Sequence, residues 1–321
     1  MNLTRGSRVL VTALDWGLGH ATRTSAVVET LKKRGCQVTL AGSGRSLELL
    51  RHDHPELRSV ALPSFSPWLS RGKRQWAAIG VQTPAFLLGI WRERRMTAKL
   101  VDELRPDLII SDNRYGVRDR RCASVIITHQ LRPRVSRHCP SWVEGVVTWA
   151  LCKMIGRFDG CLIPDERIGG LSGELSSGGP EWLKAHAIGV LSRLRDIAEE
   201  RESEVEWLGI VSGPEPQRDM FEKELIGRLG RERGRRVVIC GRGAGHDSVA
   251  TTESGVEVIG HANGPRLKGL ILAARNIVCR SGYSTIMDLV ALGRRAELVA
   301  TPGQAEQEYL AESLKGRDGW K

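Results

Sequence analysis

The chain has 321 residues, a length that suits two domains of roughly 150 residues better than a single core. Its apolar content of 41% and charged content of 26% are those of an ordinary globular protein and exclude a disordered chain. The charge is uneven, because residues 1–165 hold 26 Lys and Arg against 14 Asp and Glu, whereas residues 166–321 hold 22 against 23. We expect the first half to meet an anionic membrane, a phosphorylated acceptor or nucleic acid.

The N-terminal residues and the cysteines bear on the cellular setting. The first residues lead into a strand pattern without an apolar secretion segment, so we expect a cytoplasmic protein. The seven cysteines are odd in number and include no CxxC pair, which argues against a disulfide framework and against a zinc site.

The first predicted unit is a strand, a glycine loop, a helix and a second strand over residues 8–41. This βαβ pattern predicts a Rossmann-like domain. Gly17 and Gly19 would let an acceptor approach the backbone of the loop. His20 lies where the helix begins, which makes it the leading candidate for a general base that also contacts the acceptor. Packing of the glycines against the sheet is the alternative role for this loop.

The rest of the first half alternates strands and helices, which predicts a mainly parallel sheet. The predicted strands are 58–62, 108–111, 124–128 and 160–163, and the predicted helices are 46–51, 75–104 and 143–156. Ligands of such sheets bind at the carboxyl ends of the strands. Because Asp112 and His129 each follow a strand, we predict that both serve in catalysis and that Asn113 contacts the acceptor. Turn formation or helix capping is the alternative role.

The segment 63–100 combines seven basic residues and one acidic residue with Trp68, Trp76 and Trp91. This mixture suits a membrane interface, where indole rings lie at headgroup level and cations meet phosphates. Its apolar stretch is too short to span a bilayer. A helix packed on the first sheet, with a solvated basic face, is the alternative. Nucleic acid is the less favoured partner, because no zinc-finger, RNP-type or helix-turn-helix pattern occurs.

Residues 169–203 begin with many Gly and Ser residues, which predicts a linker between a first domain at 1–168 and a second at 204–321. The second domain repeats the alternation of strands and helices, so we expect another doubly wound sheet. After its first strand, Ser212 and Gly213 would let a phosphate approach a helix that carries Arg218. A turn capped by Ser212 is the alternative.

A second strand-turn-helix motif lies near the end of the chain. An apolar strand over residues 277–279 is followed by a turn and a helix start that carry Arg280, Ser281, Gly282, Ser284 and Thr285. The first-turn amides of a helix lack internal partners and carry partial positive charge, so we expect a nucleotide diphosphate to bind there.

These motifs resemble those of GT-B glycosyltransferases, specifically the family of the lipid-linked N-acetylglucosaminyl transferase of cell-wall synthesis (glycosyltransferase family 28). The resemblance is carried by GLGHATR at 17–23, the loop 212–218, NIVCRSGYSTIMDLVALG at 276–293 and TPGQAEQEYLA at 301–311. It implies an α/β protein with two Rossmann-like, doubly wound domains that face a cleft. The family continues into a C-terminal helix, and because this sequence stops at Lys321, we expect that helix to be missing.

The resemblance also implies roles for individual residues of the second domain. In the family, an acidic residue at the position of Asp288 holds the nucleotide ribose, although the usual residue there is Glu. The region of His261 holds the base. Gln304, Gln307 and Glu308 match a turn that contacts the donor sugar, and the family usually has Gln where Glu308 stands, which leaves a sugar other than N-acetylglucosamine open.

The implied activity is transfer of a sugar from a nucleotide-diphosphate donor, with uridine as the expected nucleoside, to a hydroxyl of a lipid-linked or phosphorylated acceptor. No cofactor or metal is expected, since helix-start amides would stabilise the diphosphate and no DxD sequence occurs. Residence at the inner face of a membrane would follow from a lipid acceptor. A nucleotide-sugar epimerase on the same fold and a non-catalytic nucleotide-sugar-binding protein are the alternatives.

Overall fold

The computed structural model describes residues 3–16, 18–63, 75–135, 141–177, 179–213, 215–242 and 248–321. The chain forms two compact units, Met1–Leu191 and Ser192–Lys321. The boundary lies inside the predicted linker 169–203, and residues 169–191 are part of the first unit rather than a free connection. The buried carboxylate of Asp165 organises their loop by accepting hydrogen bonds from the Leu171 and Ser172 amides and from the Ser172 hydroxyl.

The first unit contains a seven-stranded, wholly parallel sheet in the order β3-β2-β1-β4-β5-β6-β7. Its strands are β1 (Arg8–Ala13), β2 (Gln37–Gly42), β3 (Arg58–Ala61), β4 (Leu108–Asp112), β5 (Ala123–Ile127), β6 (Gly160–Ile163) and β7 (Ala185–Ala187). Its helices are α1 (Leu18–Lys33), α2 (Gly44–Asp53), α3 (Gln75–Leu104) and α4 (Ser141–Ile155), with a short 3-10 helix at Gly173–Leu175. The predicted parallel alternation is confirmed, and the edge strand β7 is an addition to it.

Both faces of this sheet are covered, as a parallel sheet requires. Val9 and Val11 of β1 pack in one core with Val28 of α1. Leu10, which points to the opposite face, packs in a second core with Leu100 of α3. The near-continuous apolar sequence of β1 therefore serves two helical layers.

The second unit contains a six-stranded sheet in the order β10-β11-β9-β8-β12-β13. Its strands are β8 (Val205–Ile210), β9 (Arg236–Ile239), β10 (Val249–Thr251), β11 (Glu257–Ile259), β12 (Ala274–Arg280) and β13 (Glu297–Val299). Its helices are α5 (Gln217–Leu229), α6 (Gly264–Ala273), α7 (Tyr283–Ala291) and α8 (Ala305–Leu314). All strand pairs are parallel except β10 with β11, a three-residue antiparallel edge that the sequence did not predict.

Two helix starts bear on the predicted ligand loops. Helix α1 begins at Leu18, so His20 lies in the first helical turn. Helix α5 begins at Gln217, and Pro216 directly precedes it. No helix in the described ranges is long and apolar enough to cross a bilayer.

Candidate active site and donor-binding region

The carboxyl edge of the first sheet brings His20 and Asp112 together. Strands β1 and β4 are neighbours, so the residues that follow them meet at one edge. His20 Nδ1 lies 2.9 Å from Asp112 Oδ1, and Asp112 is only 1% exposed. A buried carboxylate bonded to an imidazole is an arrangement that orients a general base.

Helix α1 supplies two further partners of Asp112 that sequence reasoning missed. Arg23 Nε donates to Asp112 Oδ2 at 2.6 Å, an Arg23 terminal nitrogen donates to Oδ1, and the Thr24 hydroxyl donates to Oδ2 at 3.1 Å. Burial by itself would raise the pKa of Asp112, but the charges of Arg23 and His20 outweigh it and hold that pKa below its usual range. The carboxyl is therefore ionised. Arg23 and Thr24 lie three and four residues after His20 on the same helix, and this spacing was the sequence signal that could have identified them as its neighbours.

The hydrogen bonds of His20 allow two tautomers. A terminal nitrogen of Arg23 also lies 2.9 Å from His20 Nδ1. A carboxylate only accepts and a guanidinium only donates, so Nδ1 either donates to Asp112 or accepts from Arg23. Only the first choice leaves the Nε2 lone pair open to take a proton.

His129 joins the same cluster through Arg23. The side chain follows β5, is 4% exposed, and its Nδ1 lies 3.3 Å from an Arg23 terminal nitrogen. The three residues predicted for catalysis thus belong to one network. Within it, His20 bonds Asp112 directly, whereas His129 reaches that carboxylate through the guanidinium, which favours a positioning role for His129.

The predicted acceptor residues are described only in part. Gly17 lies outside the described residues, and Gly19 is in the first turn of α1, where its carbonyl accepts a hydrogen bond from the Thr22 hydroxyl at 2.9 Å. Asn113 has a positive φ of 54°, and its Oδ1 is buried with no hydrogen-bond partner among the described residues.

A small cavity of about 20 Å³ lies beside Asn113. Its aromatic wall is formed by Trp16, Phe86 and Tyr115, and the Phe86 ring centroid lies 6.2 Å from each of the other two. These residues come from the connection between β1 and α1, from α3 and from the loop after β4. No local motif marks them as a group, so the sequence could not have identified this pocket.

In the second unit, the N-terminus of α7 is open. Gly282 precedes the helix, no side chain caps it, and a Cβ built on Gly282 would meet no described atom within 4 Å. Ser284 and Thr285 are partly exposed in the first turn. Ser281 is buried, and its hydroxyl donates to the Gln307 carbonyl at 2.7 Å, which fixes the turn. The free amide ends suit a phosphate.

Arg280 faces the core of the second unit. It is 4% exposed, its guanidinium lies 3.8 Å from the centroid of the Phe221 ring, and a terminal nitrogen donates to the Ala300 carbonyl at 2.8 Å. Burial lowers the pKa of Arg280. This placement favours packing over the donor contact that was predicted.

Asp288 lies on α7 and is partly buried. The Ser192 hydroxyl donates to its Oδ1 at 2.5 Å. Burial raises the pKa of Asp288 to about 6, against the opposing effects of the Ser192 hydrogen bond and the Arg193 charge. Ser192 was not predicted, although it stands in the sequence IGVLSR at residues 188–193, just where the second unit begins.

The loop before α5 keeps the features predicted for a phosphate loop. Gly213 has φ of 110°, a conformation that favours glycine, and Ser212 beside it is partly exposed. Arg218 forms an ion pair with Glu215, and one terminal nitrogen lies 3.5 Å from the Gly241 carbonyl. The buried Arg218 Nε has no partner among the described residues.

The residues predicted to contact the donor sugar also stabilise their own turn. Gln307 Oε1 accepts a hydrogen bond from the Thr301 amide, and Glu308 Oε1 accepts one from the Gly303 amide, both at 2.9 Å. Gln304 directly precedes α8. Turn stabilisation therefore explains one oxygen of each side chain and leaves the Gln307 amide nitrogen and the second Glu308 oxygen for a ligand. His261 is partly buried in the loop between β11 and α6.

No group of three His, Cys, Asp or Glu side chains within the described part of the chain is placed to hold a metal ion. The six described cysteines are free thiols, and Cys139 lies outside the described residues.

Solved structures similar to this chain include the glycotransferase of kitacinnamycin, which is 15% identical with a TM-score of 0.63 over 97% of this chain and 85% of that one. MurG of Acinetobacter baumannii is 14% identical, with a TM-score of 0.55 over 98% and 85% of the two chains. The fold is that of the GT-B glycosyltransferases. The predicted fold class is thereby confirmed, whereas activity has to be argued from the residues, because likeness at such low identity shows the fold alone.

A third similar structure is a spinosyn rhamnosyltransferase complexed with thymidine diphosphate, 12% identical with a TM-score of 0.59 over 96% of this chain and 84% of that one. No protein-family model matches the chain, and no curated protein matches it at a significant level.

Proposed function

We propose that this protein is a glycosyltransferase that moves a sugar from a nucleotide-diphosphate donor to an acceptor hydroxyl. The observation that carries the proposal is the His20–Asp112 pair at the carboxyl edge of the first sheet, on a fold shared with glycosyltransferases. Imidazole exchanges protons near neutral pH, and a buried ionised carboxylate on Nδ1 holds the tautomer in which Nε2 is a base.

The transfer step follows from that tautomer. His20 Nε2 takes the proton of the acceptor hydroxyl while Nδ1–H donates to Asp112. The acceptor oxygen forms a bond to the anomeric carbon of the sugar. The bond from that carbon to the diphosphate oxygen breaks, and the nucleoside diphosphate leaves with the electron pair. Asp112 stabilises the imidazolium and keeps its own charge.

The open N-terminus of α7 is the proposed site of the diphosphate, with Ser284 and Thr285 in the first turn. Helix-start amides stabilise developing negative charge, so we propose that the departure of the diphosphate needs no metal. The complex of a similar structure with thymidine diphosphate supports a nucleoside diphosphate as ligand. We propose uridine as the nucleoside and Asp288 as the acceptor of ribose hydrogen bonds.

The test is a screen of purified protein with labelled uridine-diphosphate sugars and a set of lipid and soluble acceptors. His20→Ala should lower turnover by about 100-fold or more with nucleotide affinity nearly unchanged, because loss of a general base affects the transition state. His52→Ala is the matched control, since His52 is an exposed histidine of the same unit. Epimerised donor without transfer would show an epimerase, and full turnover in His20→Ala would remove His20 from the mechanism.

We also propose that the first unit associates with the inner face of an anionic membrane. Trp142, Val146 and Trp149 recur every three or four residues on α4 and are 69%, 55% and 64% exposed, so they form one apolar face. Lys153, on the same face, lies between the rings of Trp149 and Trp182, at 5.9 and 5.1 Å from their centroids. We call these five residues the α4 surface. Indole rings around a cation suit lipid headgroups.

The segment 63–100, on which the membrane prediction first rested, contributes less to this proposal. Trp68 lies outside the described residues, as does the side chain of Trp76. Trp91 is 51% exposed on α3, with the Arg95 guanidinium 4.6 Å from its ring centroid. The Trp91–Arg95 pair therefore combines an indole ring with a cation, as the α4 surface does.

A further inference from the structure

We propose that Arg23 is a positioning residue for the transfer reaction, whose guanidinium fixes the Asp112 carboxylate so that His20 keeps the tautomer of a base. The inference rests on the proposed transferase function and extends it to a residue that acts through the His20–Asp112 pair. It assigns no contact with a substrate to Arg23.

The Arg23 guanidinium binds Asp112 as a fork. Its Nε donates to Asp112 Oδ2 at 2.6 Å, and one terminal nitrogen donates to Oδ1. Two parallel bonds between a planar guanidinium and a planar carboxylate fix the plane of the carboxylate as well as its place. Both side chains are almost fully buried, so water competes little for these bonds. The carboxylate is therefore held in one orientation.

The donors around Asp112 leave one acceptor position for His20. The Thr24 hydroxyl and Arg23 Nε both donate to Oδ2. Oδ1 receives the terminal nitrogen of Arg23 and lies 2.9 Å from His20 Nδ1. An ionised carboxylate accepts about four hydrogen bonds, and the fourth here faces the imidazole. A proton on His20 Nδ1 completes the set and leaves the lone pair of Nε2 for the acceptor hydroxyl.

Arg23 also has the geometry to select the opposite tautomer. The terminal nitrogen that bonds Oδ1 lies 2.9 Å from His20 Nδ1. If it donated to Nδ1, His20 would carry its proton on Nε2 and could not take one from an acceptor. In that tautomer, however, Nδ1 and the ionised Oδ1 would face each other as two acceptors 2.9 Å apart. The base tautomer is thus favoured for as long as the fork keeps Oδ1 in this place.

His129 anchors the guanidinium. The other terminal nitrogen of Arg23 lies 3.3 Å from His129 Nδ1, and the His129 side chain is buried. Because a guanidinium only donates, Nδ1 of His129 is the acceptor in this contact. His129 therefore helps to hold the fork, in keeping with its indirect link to Asp112.

Neutralisation of a buried charge is the alternative role for Arg23. A buried carboxylate requires an opposite charge, and any cation at this position would supply it. Arg23→Lys separates the two roles. It keeps the charge beside Asp112, but an ammonium is a point charge with rotatable donors that cannot form the fork and can turn toward His20 Nδ1.

Nitrogen-15 NMR of the full chain with labelled histidine measures the tautomer of His20 without any substrate, and His20→Ala identifies the signals. At about pH 8 the parent should show mainly the Nδ1–H form, and Arg23→Lys should raise the share of the Nε2–H form by about twofold or more. Arg34→Lys, at an exposed arginine that directly follows α1, is the matched control and should leave the tautomer unchanged. Unchanged circular dichroism and uridine diphosphate affinity would show that Arg23→Lys is folded.

Steady-state kinetics test the same role in the reaction. Arg23→Lys should lower kcat by about tenfold or more and change KM by less than about threefold, because the base and not substrate binding is affected. In the Asp112→Asn background the same replacement should change kcat by less than about twofold, since Arg23 acts through that carboxylate. Losses that multiply in the double variant would indicate an independent structural role and contradict the inference.

A parent protein whose His20 is mainly in the Nε2–H form would overturn the inference without any variant of Arg23. Unchanged kcat or an unchanged tautomer in a folded Arg23→Lys would also overturn it. If sugar transfer depends on His20 while Arg23→Lys behaves as the parent does, the positioning role fails and the transferase function stands. If the tautomer responds as expected but no uridine-diphosphate sugar is bound or consumed, the control of His20 by Arg23 stands and the transferase function fails.

Discussion

Asp288→Asn should make the second unit more stable at high pH. The folded protein raises the pKa of Asp288 from 3.8 to about 6, so keeping this carboxyl ionised above pH 6 costs about 3 kcal/mol at ~1.4 kcal/mol per pKa unit. An amide has the shape of the carboxyl without its charge and can still accept the Ser192 hydroxyl. The variant should therefore recover between about 1 and 3 kcal/mol at pH 8.

The effect has a defined pH window. Below the unfolded pKa of 3.8, Asp288 is protonated in both states and imposes no cost. As pH rises from there to about 6, the unfolded chain loses the proton first, so the folded state binds more protons and loses stability. Above that window the whole cost is present. The difference between parent and variant should thus grow from near zero at acid pH to its maximum above pH 6.

Urea unfolding of parent and variant at pH 4 and pH 8 measures this difference. Glu253→Gln, at an exposed carboxylate of the same unit, is the control and should change stability little at either pH. Equal stability of Asp288→Asn and parent at pH 8 would refute the reasoning. A carboxylate that destabilises the fold at Asp288 fits a role in binding a ligand. Asp288→Ala should therefore weaken the binding of uridine diphosphate by about 1 to 3 kcal/mol, as measured by calorimetry.

Four further predictions concern the first unit and the metal question. Asp112→Asn should lower turnover by about 100-fold or more in steady-state kinetics, because an amide can donate to His20 Nδ1 and stabilise the tautomer with a protonated Nε2. Normal turnover of this variant would contradict a catalytic role for the His20–Asp112 pair. Glu93→Gln should destabilise the protein by about 3 to 5 kcal/mol in urea unfolding, since it leaves the buried Arg114 charge without its partner, and a loss below 1 kcal/mol would show that the pair is not needed. Trp149→Ser should reduce cosedimentation of the protein with anionic vesicles, and raised salt should weaken the remaining vesicle binding; failure of the parent protein to sediment at low salt would contradict the membrane proposal. Excess EDTA should leave sugar transfer unchanged, and a loss of transfer that Mg²⁺ restores would contradict a metal-free diphosphate site.

Those parts of the protein that depend on local pattern were predictable from the amino-acid sequence. Apolar runs bounded by glycine and polar residues predicted β1, β4 and β12 to within a few residues, since strand and helix periods are read over short windows. The glycine loop, the α7 start and the strand ends were found for the same reason, and they include His20 and Asp112.

Which of these residues meet depends instead on long-range packing. The contact of Asp112 with His20 and Arg23 joins residues about 90 positions apart, and it exists because β1 and β4 are neighbours in the sheet. Strand order is set by packing on both faces of the whole sheet, which no short window contains. The same holds for the Ser192 bond to Asp288, separated by 96 positions, and for the aromatic pocket, whose walls come from three distant segments.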